Sequence, residues 1–160
     1  MRVILAAVGR LKDGGERELF ERYHTRFDQA GRALSLGPMT LAELPESRAA
    51  EPALRKADES ARLMKAASTA SVIIALDETG RQETSAAFAR RLAQWRDEGA
   101  GTIAFLIGGP DGHGPDALAA ARLTLSLGPM TLPHGLARVV LAEQLYRAVT
   151  ILSGHPYHRA

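Results

Sequence analysis

The side chains best suited to chemistry are concentrated in the last third of the chain. A compact tail, His155-Pro156-Tyr157-His158-Arg159, brings two imidazoles, a phenol and a guanidinium together beside a rigid proline. Such groups can stack on RNA bases and contact phosphates. The spacing of the two histidines also suits a metal, but no third ligand of suitable spacing is visible, so no metal site is predicted.

Two loops rich in glycine and proline precede the tail. Residues 108–115, Gly-Gly-Pro-Asp-Gly-His-Gly-Pro, match neither Gly-x-Gly-x-x-Gly nor a phosphate-binding loop ending in Gly-Lys-Ser/Thr. They form either a plain sharp turn or a place where backbone approaches a ligand closely, because glycine has no side chain. Residues 126–134 set backbone polar groups in an apolar wall, which suits a purine-like ligand or a rigid structural turn.

A helix is predicted between these loops and the tail, over residues 135–153. Glu143 and Arg147 are four residues apart with the acid first, the favourable order for a surface pair. Arg138 and Tyr146 either face a partner or extend along the protein surface.

Composition and charge narrow the class of protein. The chain has 160 residues, 46% of them hydrophobic and 24% charged, which predicts one globular domain spanning residues 1–160. It has no cysteine, which excludes disulfides and thiolate chemistry. Residues 117–160 carry a formal charge of +3 and residues 1–116 a charge of −1. This asymmetry indicates either an anionic partner such as nucleic acid or a solvated arginine surface.

No segment reads as a signal peptide or a membrane span. The apolar run at the start of the chain is short and is followed at once by charged residues. It therefore predicts a first strand, and the protein is expected to be cytoplasmic.

Apolar runs alternate with helical patterns along the whole chain. Strands are predicted over residues 2–8, 33–44, 71–77, 102–107 and 122–127, with Gly37-Pro38 interrupting the second and Gly80 ending the third. Helices are predicted over residues 16–27, 48–67, 84–97, a short stretch from 115, and 135–153. The pattern is typical of an α/β fold, a mostly parallel sheet with helices on both faces. Ligands bind such sheets beyond the carboxyl ends of the strands.

One segment occurs twice. Residues 34–41, Leu-Ser-Leu-Gly-Pro-Met-Thr-Leu, recur unchanged as residues 125–132. Pro-His follows only the second copy, so we expect a ligand at that copy alone and an ordinary strand and turn at the first.

Several of these motifs together resemble a known family. Leu76-Asp77, the run from Leu106 to Gly112, Thr131-Leu132-Pro133-His134, the run from Ala142 to Arg147, and the terminal His-Pro-Tyr-His-Arg are similar to those of the RlmH family. Its members are ribosomal large-subunit pseudouridine methyltransferases of the SPOUT class, and the resemblance covers the whole chain.

The resemblance implies a homodimer with a C-terminal trefoil knot and S-adenosylmethionine bound in it. The implied cofactor residues are Leu76, Gly108, Gly109, Leu127, Gly128, Pro129, Met130, Thr131 and Leu132. Residues 128–130, Gly-Pro-Met, replace the serine- and alanine-type residues that are commoner in this loop.

The acceptor that the resemblance implies is N3 of a pseudouridine in helix 69 of 23S rRNA, in the assembled 70S ribosome. Candidates for the catalytic groups are His134, His155, Tyr157, His158 and Arg159, without a choice of base. The site is expected either within one subunit or shared across the dimer. The alternatives are a non-catalytic ribosome assembly factor and a SPOUT enzyme acting on tRNA.

Overall fold

A computed structural model describes residues 1–159, in which strands and helices alternate. Five of the helices are α-helices, and a short 3-10 helix, Arg32–Leu34, follows the first of them. The elements in chain order are β1 (Arg2–Val8), α1 (Gly15–Gly31), β2 (Met39–Leu44), α2 (Pro52–Ala66), β3 (Val72–Gln82), α3 (Ser85–Asp97), β4 (Thr102–Ile107), α4 (Pro115–Ala120), β5 (Leu123–Ser126) and α5 (His134–Ser153).

All five strands join one parallel sheet in the order β2-β1-β4-β3-β5. The inner strands are mostly apolar where they pair with one another, because helices cover both faces of the sheet there. Phe105 and Leu145 belong to the larger core, on the face covered by α1, α3 and α5. Ala104 and Leu63 belong to the smaller core, on the face covered by α2 and α4. The predicted α/β architecture is confirmed, and the trefoil knot stays a prediction.

Most predicted elements are present. Their observed boundaries differ from the predicted ones mainly near glycine and proline residues. Strand β2 begins only at Met39, because the residues before it form the 3-10 helix and a turn. Helix α2 begins at Pro52, four residues later than predicted, and proline suits the first helical turn. Thr84 caps α3 as expected, accepting a hydrogen bond from the Ala87 backbone N–H at 3.1 Å. Within residues 1–159, no helix combines the length and apolarity needed to span a bilayer.

The sequence predicted that the third strand ends at Gly80, but the strand continues to Gln82. Its pairing with β5 breaks after Leu76 and resumes at Arg81, so the residues between them bulge out of the sheet. A side chain at Gly80 would place its first carbon 2.7 Å from the Thr124 carbonyl oxygen. Glycine here lets β5 approach closely, so that the strand continues instead of stopping.

Candidate functional site

A cavity of about 460 Å³ lies at the carboxyl ends of β3, β4 and β5. Its walls are the β3 bulge, the glycine loop after β4 (residues 108–114) and the loop after β5 (residues 127–133, the β5 loop). The residues that line it are Leu76, Asp77, Glu78, Thr79, Ile107, Gly109, Pro110, Asp111, Gly112, Leu125, Leu127, Gly128, Met130, Thr131, Leu132, His134 and Ala137. Parallel α/β sheets bind ligands in this position.

The structure brings most of the expected cofactor residues together in this cavity. Leu76, Gly109 and five residues of the β5 loop line it, whereas Gly108 and Pro129 do not. Gly108 does not line the cavity but lies in the turn behind it. A first side-chain carbon at this position would lie 3.0 Å from the carbonyl carbon of Gly112. The tight turn itself therefore favours glycine at this position.

The β3 bulge contributes polar groups that the sequence did not single out. Asp77 Oδ1 accepts hydrogen bonds from the Thr79 backbone N–H at 2.9 Å and from Thr79 Oγ1 at 2.5 Å. The Thr79 side chain, more than any other group, lowers the pKa of Asp77, and burial opposes this. Asp77 is therefore an anion at neutral pH, held rigidly at the cavity wall.

Two hydrogen bonds connect the bulge to the β5 loop. Thr131 Oγ1 donates to Glu78 Oε2 at 2.9 Å. Ser126, a buried residue at the end of β5, accepts from the Gly128 backbone N–H at 3.1 Å, and its hydroxyl lies 3.1 Å from the Glu78 carbonyl oxygen. Ser126 was not predicted as a site residue. The only indication in the sequence was its position near the end of a predicted strand, two residues before Gly128.

The glycine loop is held from its far side by α2. Arg55 forms an ion pair with Asp111 at 2.7 Å, and Ser60 Oγ accepts from the Gly114 backbone N–H at 2.9 Å. Between them Glu59 is 2% exposed, and its Oε2 has no hydrogen-bond partner. Burial, with smaller effects of Glu46, Asp111 and Asp58, raises the pKa of Glu59, and Arg55 opposes this.

We expect Glu59→Gln to make unfolding less pH-dependent. A carboxyl whose pKa is raised in the folded state stabilises the protein fully at low pH and loses that contribution as the pH rises. The amide mimics the neutral acid, so the variant should gain stability over the wild type above the ordinary glutamate pKa of about 4.3. Urea unfolding at several pH values measures this. A stability difference that does not change with pH would contradict it.

His113 is the second buried titratable group beside the loop. Its Nε2 lies 3.1 Å from the Leu106 carbonyl oxygen, and its Nδ1 has no partner. Burial lowers the pKa of His113. The ring is therefore neutral at physiological pH, with Nε2 as the hydrogen-bond donor to the end of β4.

Helix α5 begins at the cavity with His134, and Arg138 fixes this first turn. Arg138 is 1% exposed, so it is neither a partner-facing nor a surface side chain. It pairs with Glu43 at 2.8 Å and donates to the carbonyl oxygens of Val8 at 2.9 Å and Gly9 at 2.8 Å. It thus connects the start of α5 to the ends of β1 and β2.

The tail folds back along α5. Tyr157 Oη donates to Glu143 Oε1 at 2.9 Å, and the same oxygen accepts from Arg147 Nη2 at 2.6 Å. The predicted pair of Glu143 and Arg147 is present, but it also anchors the tail. The Arg147 guanidinium lies 4.8 Å from the centre of the Tyr157 ring. Burial, then hydrogen bonding, raises the pKa of Tyr157, which therefore stays protonated.

Both tail histidines use Nδ1 as an acceptor. His155 Nδ1 accepts from the Tyr157 backbone N–H at 3.2 Å, and His158 Nδ1 lies 3.3 Å from Arg147 Nη1. An arginine can only donate, which assigns the proton of a neutral His158 to Nε2. Arg159 is exposed.

Within one chain the tail and the cavity lie apart. Among the described residues, none after Ala137 lines the cavity. Glu143, where the tail packs, lies about 14 Å beyond His134 along the axis of α5. His134 is thus the one candidate catalytic residue that the structure places at the cavity. In the part of the chain described, no three histidine, aspartate or glutamate side chains converge as a metal site would require.

Comparison with known proteins gives consistent matches over the full chain. Residues 1–158 match the family described as "Predicted SPOUT methyltransferase". A protein of Bradyrhizobium diazoefficiens named ribosomal RNA large subunit methyltransferase H is 52% identical over 160 residues, which is the whole of both chains. Proteins of the same name from Brucella anthropi and Xanthobacter autotrophicus are 51% and 52% identical, again over both full chains.

The fold also matches a solved structure. A probable methylase family protein from Haemophilus influenzae superimposes with a TM-score of 0.51 and 12% identity, over 99% of this chain and 70% of that one. At this identity the match concerns the fold alone.

Proposed function

Because the chain belongs to the SPOUT methyltransferase family, we propose that it methylates N3 of a pseudouridine in helix 69 of 23S rRNA, using S-adenosylmethionine. The observation that carries the proposal is the cavity beyond β3, β4 and β5, because the expected cofactor motifs meet there. The relatives named as large-subunit rRNA methyltransferases supply the substrate class. A ribosomal substrate places the enzyme in the cytoplasm.

The size and the lining of the cavity suit S-adenosylmethionine. Its volume of about 460 Å³ lies within the range of roughly 300–1,000 Å³ usual for small-molecule sites. Leu76, Leu127 and Leu132 provide apolar walls for an adenine ring. Gly109 and Gly128 leave backbone exposed to the ligand, so the Gly-Pro-Met variation at residues 128–130 preserves main-chain contacts.

The charge of the cavity is complementary to that of S-adenosylmethionine. Asp77, Glu78 and Asp111 line it, and only Asp111 has a cationic partner, Arg55, among the described ion pairs. S-adenosylmethionine carries a sulfonium and an ammonium against one carboxylate, which gives it a net positive charge. Two uncompensated carboxylates in a concave site attract such a cation.

We expect Glu78→Gln to weaken binding of S-adenosylmethionine more than binding of S-adenosylhomocysteine. The two differ by the methyl group and its sulfonium charge, so removal of a cavity carboxylate penalises the net cationic S-adenosylmethionine more than the zwitterionic S-adenosylhomocysteine. Calorimetric titration of both ligands measures the ratio of affinities. Glu98→Gln, at the exposed partner of Arg122, is the matched control. Equal losses for both ligands would assign Glu78 a structural role only.

The proposed chemistry needs orientation and removal of one proton. When bound, S-adenosylmethionine supplies an activated methyl group. The pseudouridine imide must lose its N3 proton as the new N–C bond forms, and a general base contributes roughly 10²–10⁴-fold to such a step. We assign this role to His134, which lines the cavity. Tyr157, held protonated, can donate a hydrogen bond or stack on a base, and Arg159 suits a phosphate.

The tail reaches a methylation site only if a second subunit provides it. Tail and cavity are separate within one chain. Helix α5 carries His134 at the cavity and, further along, Glu143, to which Tyr157 of the tail is hydrogen-bonded. We therefore propose a homodimer in which the cofactor loops of one subunit face the tail of its partner. Met130 and Leu136, which are 81% and 41% exposed near the cavity, provide apolar surface for such an assembly.

Labelled methyl transfer tests the proposed substrate. The purified protein is incubated with S-adenosylmethionine and with 70S ribosomes, separated subunits or tRNA, all from a bacterial strain that lacks this methyltransferase. Transfer to 70S ribosomes alone is expected. Transfer to tRNA would indicate the other SPOUT class of substrate, and ribosome binding without transfer would indicate an assembly factor.

A further inference from the structure

One face of α2 contacts the glycine loop at three points. Arg55 and Glu59 are one helical turn apart, and the neighbouring Ser60 also contacts the loop. Arg55 binds Asp111 through two hydrogen bonds, of 2.7 and 3.3 Å. Ser60 accepts from the Gly114 backbone N–H at 2.9 Å. Glu59 lies between these two contacts, behind Gly109, one of the loop residues that line the cavity.

The contact of Glu59 is with Gly109 itself. A first side-chain carbon on Gly109 would lie 2.5 Å from Glu59 Oε2 and 3.1 Å from Oε1. The carboxyl thus occupies the space that a side chain at position 109 would need. Gly109 lines the cavity on its other side, so the carboxyl determines how far the loop can retreat from a ligand.

Glu59 is an acid at a position where burial is unfavourable. Glu59 is 2% exposed and its Oε2 has no hydrogen-bond partner. A buried polar group without a partner costs free energy that an apolar residue would not. Leu63, one turn later on the same helix, is also buried and is apolar.

We infer that Glu59 is a positioning residue for the cofactor: its buried carboxyl supports Gly109 and so fixes the wall of the cavity. The inference rests on the proposed function, in which this cavity holds S-adenosylmethionine. Glu59 does not line the cavity and is assigned no part in methyl transfer. It acts through Gly109, with Arg55 holding the middle of the same loop at Asp111 and Ser60 holding its end at Gly114.

A double-mutant cycle between positions 59 and 109 tests the inference. Gly109→Ala should weaken S-adenosylmethionine binding, because the new methyl group collides with the carboxyl and displaces the loop. Glu59→Ala should weaken it as well, because the loop loses its support. In the double variant the smaller residue at 59 makes room for the methyl group. Its affinity should exceed that expected from adding the two losses by at least about fivefold.

Controls separate this contact from general damage. Gly101→Ala has no atom within 4 Å of its new carbon, so it should show no coupling to Glu59→Ala. Asp58→Ala removes the neighbouring acid of α2, which pairs with Arg62, and should leave affinity unchanged. Glu59→Gln keeps the shape of the side chain and should lose less affinity than Glu59→Ala.

The same cycle is measured by urea unfolding without any ligand, so the inference can fail separately from the proposed function. Coupling in both stability and affinity supports the positioning role. Coupling in stability alone would overturn it, because the contact would then be structural only. Strictly additive losses in both measurements would overturn it too. A wild-type protein that binds no S-adenosylmethionine would instead refute the proposed function.

Discussion

Deletion of residues 155–160 is expected to abolish methyl transfer to ribosomes while leaving S-adenosylmethionine affinity within a few-fold of the wild type. The tail contacts α5 through Glu143 and Arg147, and none of its described residues lines the cavity. Gly154, which ends α5 in a left-handed conformation, stays in place. Chemistry and cofactor binding are therefore separable in this variant.

Single substitutions in the tail and its anchor should divide the roles further. Arg159→Ala should weaken ribosome binding and reduce its dependence on salt. Tyr157→Phe removes the hydrogen bond to Glu143 but keeps the ring, so it should lose less activity than the deletion. Single-turnover methylation beside a ribosome-binding titration measures both. Full activity of the truncated protein would refute the assignment of the tail to the RNA site.

Arg138→Met is expected to lower the free energy of unfolding by about 3–5 kcal/mol, the usual cost of breaking a buried ion pair. The substitution removes the guanidinium that donates to the carbonyl oxygens of Val8 and Gly9, and leaves Glu43 with the Leu11 backbone N–H but without its cation. Because Arg138 fixes the turn that carries His134, any variant that remains folded should also lose turnover.

Two further variants test whether the loss of stability in Arg138→Met comes from its ion pair. Adding Glu43→Gln should recover part of the loss, since the partly buried group that has lost its cation is then neutral. Arg122→Met, at an exposed pair with Glu98, should cost less than about 1 kcal/mol. Urea unfolding measures all of these. A loss below about 1 kcal/mol for Arg138→Met would show that water replaces the guanidinium at little cost.

The sequence predicted the type of nearly every element because apolar runs alternate clearly with helical patterns along the chain. Strand β4 has the predicted bounds, residues 102–107, and it is central and apolar on both faces. Arg138 could not be placed in the same way. A charged residue in a helix normally indicates a solvated face, and only the carbonyl groups at the ends of β1 and β2 make its burial favourable.

The repeated octapeptide shows why local sequence did not suffice for the site. In residues 34–41 the strand begins only at Met39, after a turn in which Ser35 and Gly37 have positive φ. In residues 125–132 the first two residues end β5, and most of the others line the cavity. β2 and β5 are opposite edges of the sheet. The same eight residues thus adopt different structures because their neighbours in space differ.

The cofactor motifs were visible in the sequence, whereas their supports were not. Gly109 and the β5 loop could be named because they match a family pattern. The β3 bulge and Glu59 depend on pairing between distant segments, β3 with β5 and α2 with the glycine loop. The separation of tail and cavity likewise follows from the length of α5.

Locating the methyl group on the RNA tests the proposed methylation of helix 69 directly. Ribosomes from a strain lacking this methyltransferase are incubated with the protein and labelled S-adenosylmethionine, and the 23S rRNA is digested and read by mass spectrometry. We predict the label on N3 of a pseudouridine in helix 69, and its loss with the tail deletion. Label on any other nucleotide, or none in 23S rRNA, would contradict it.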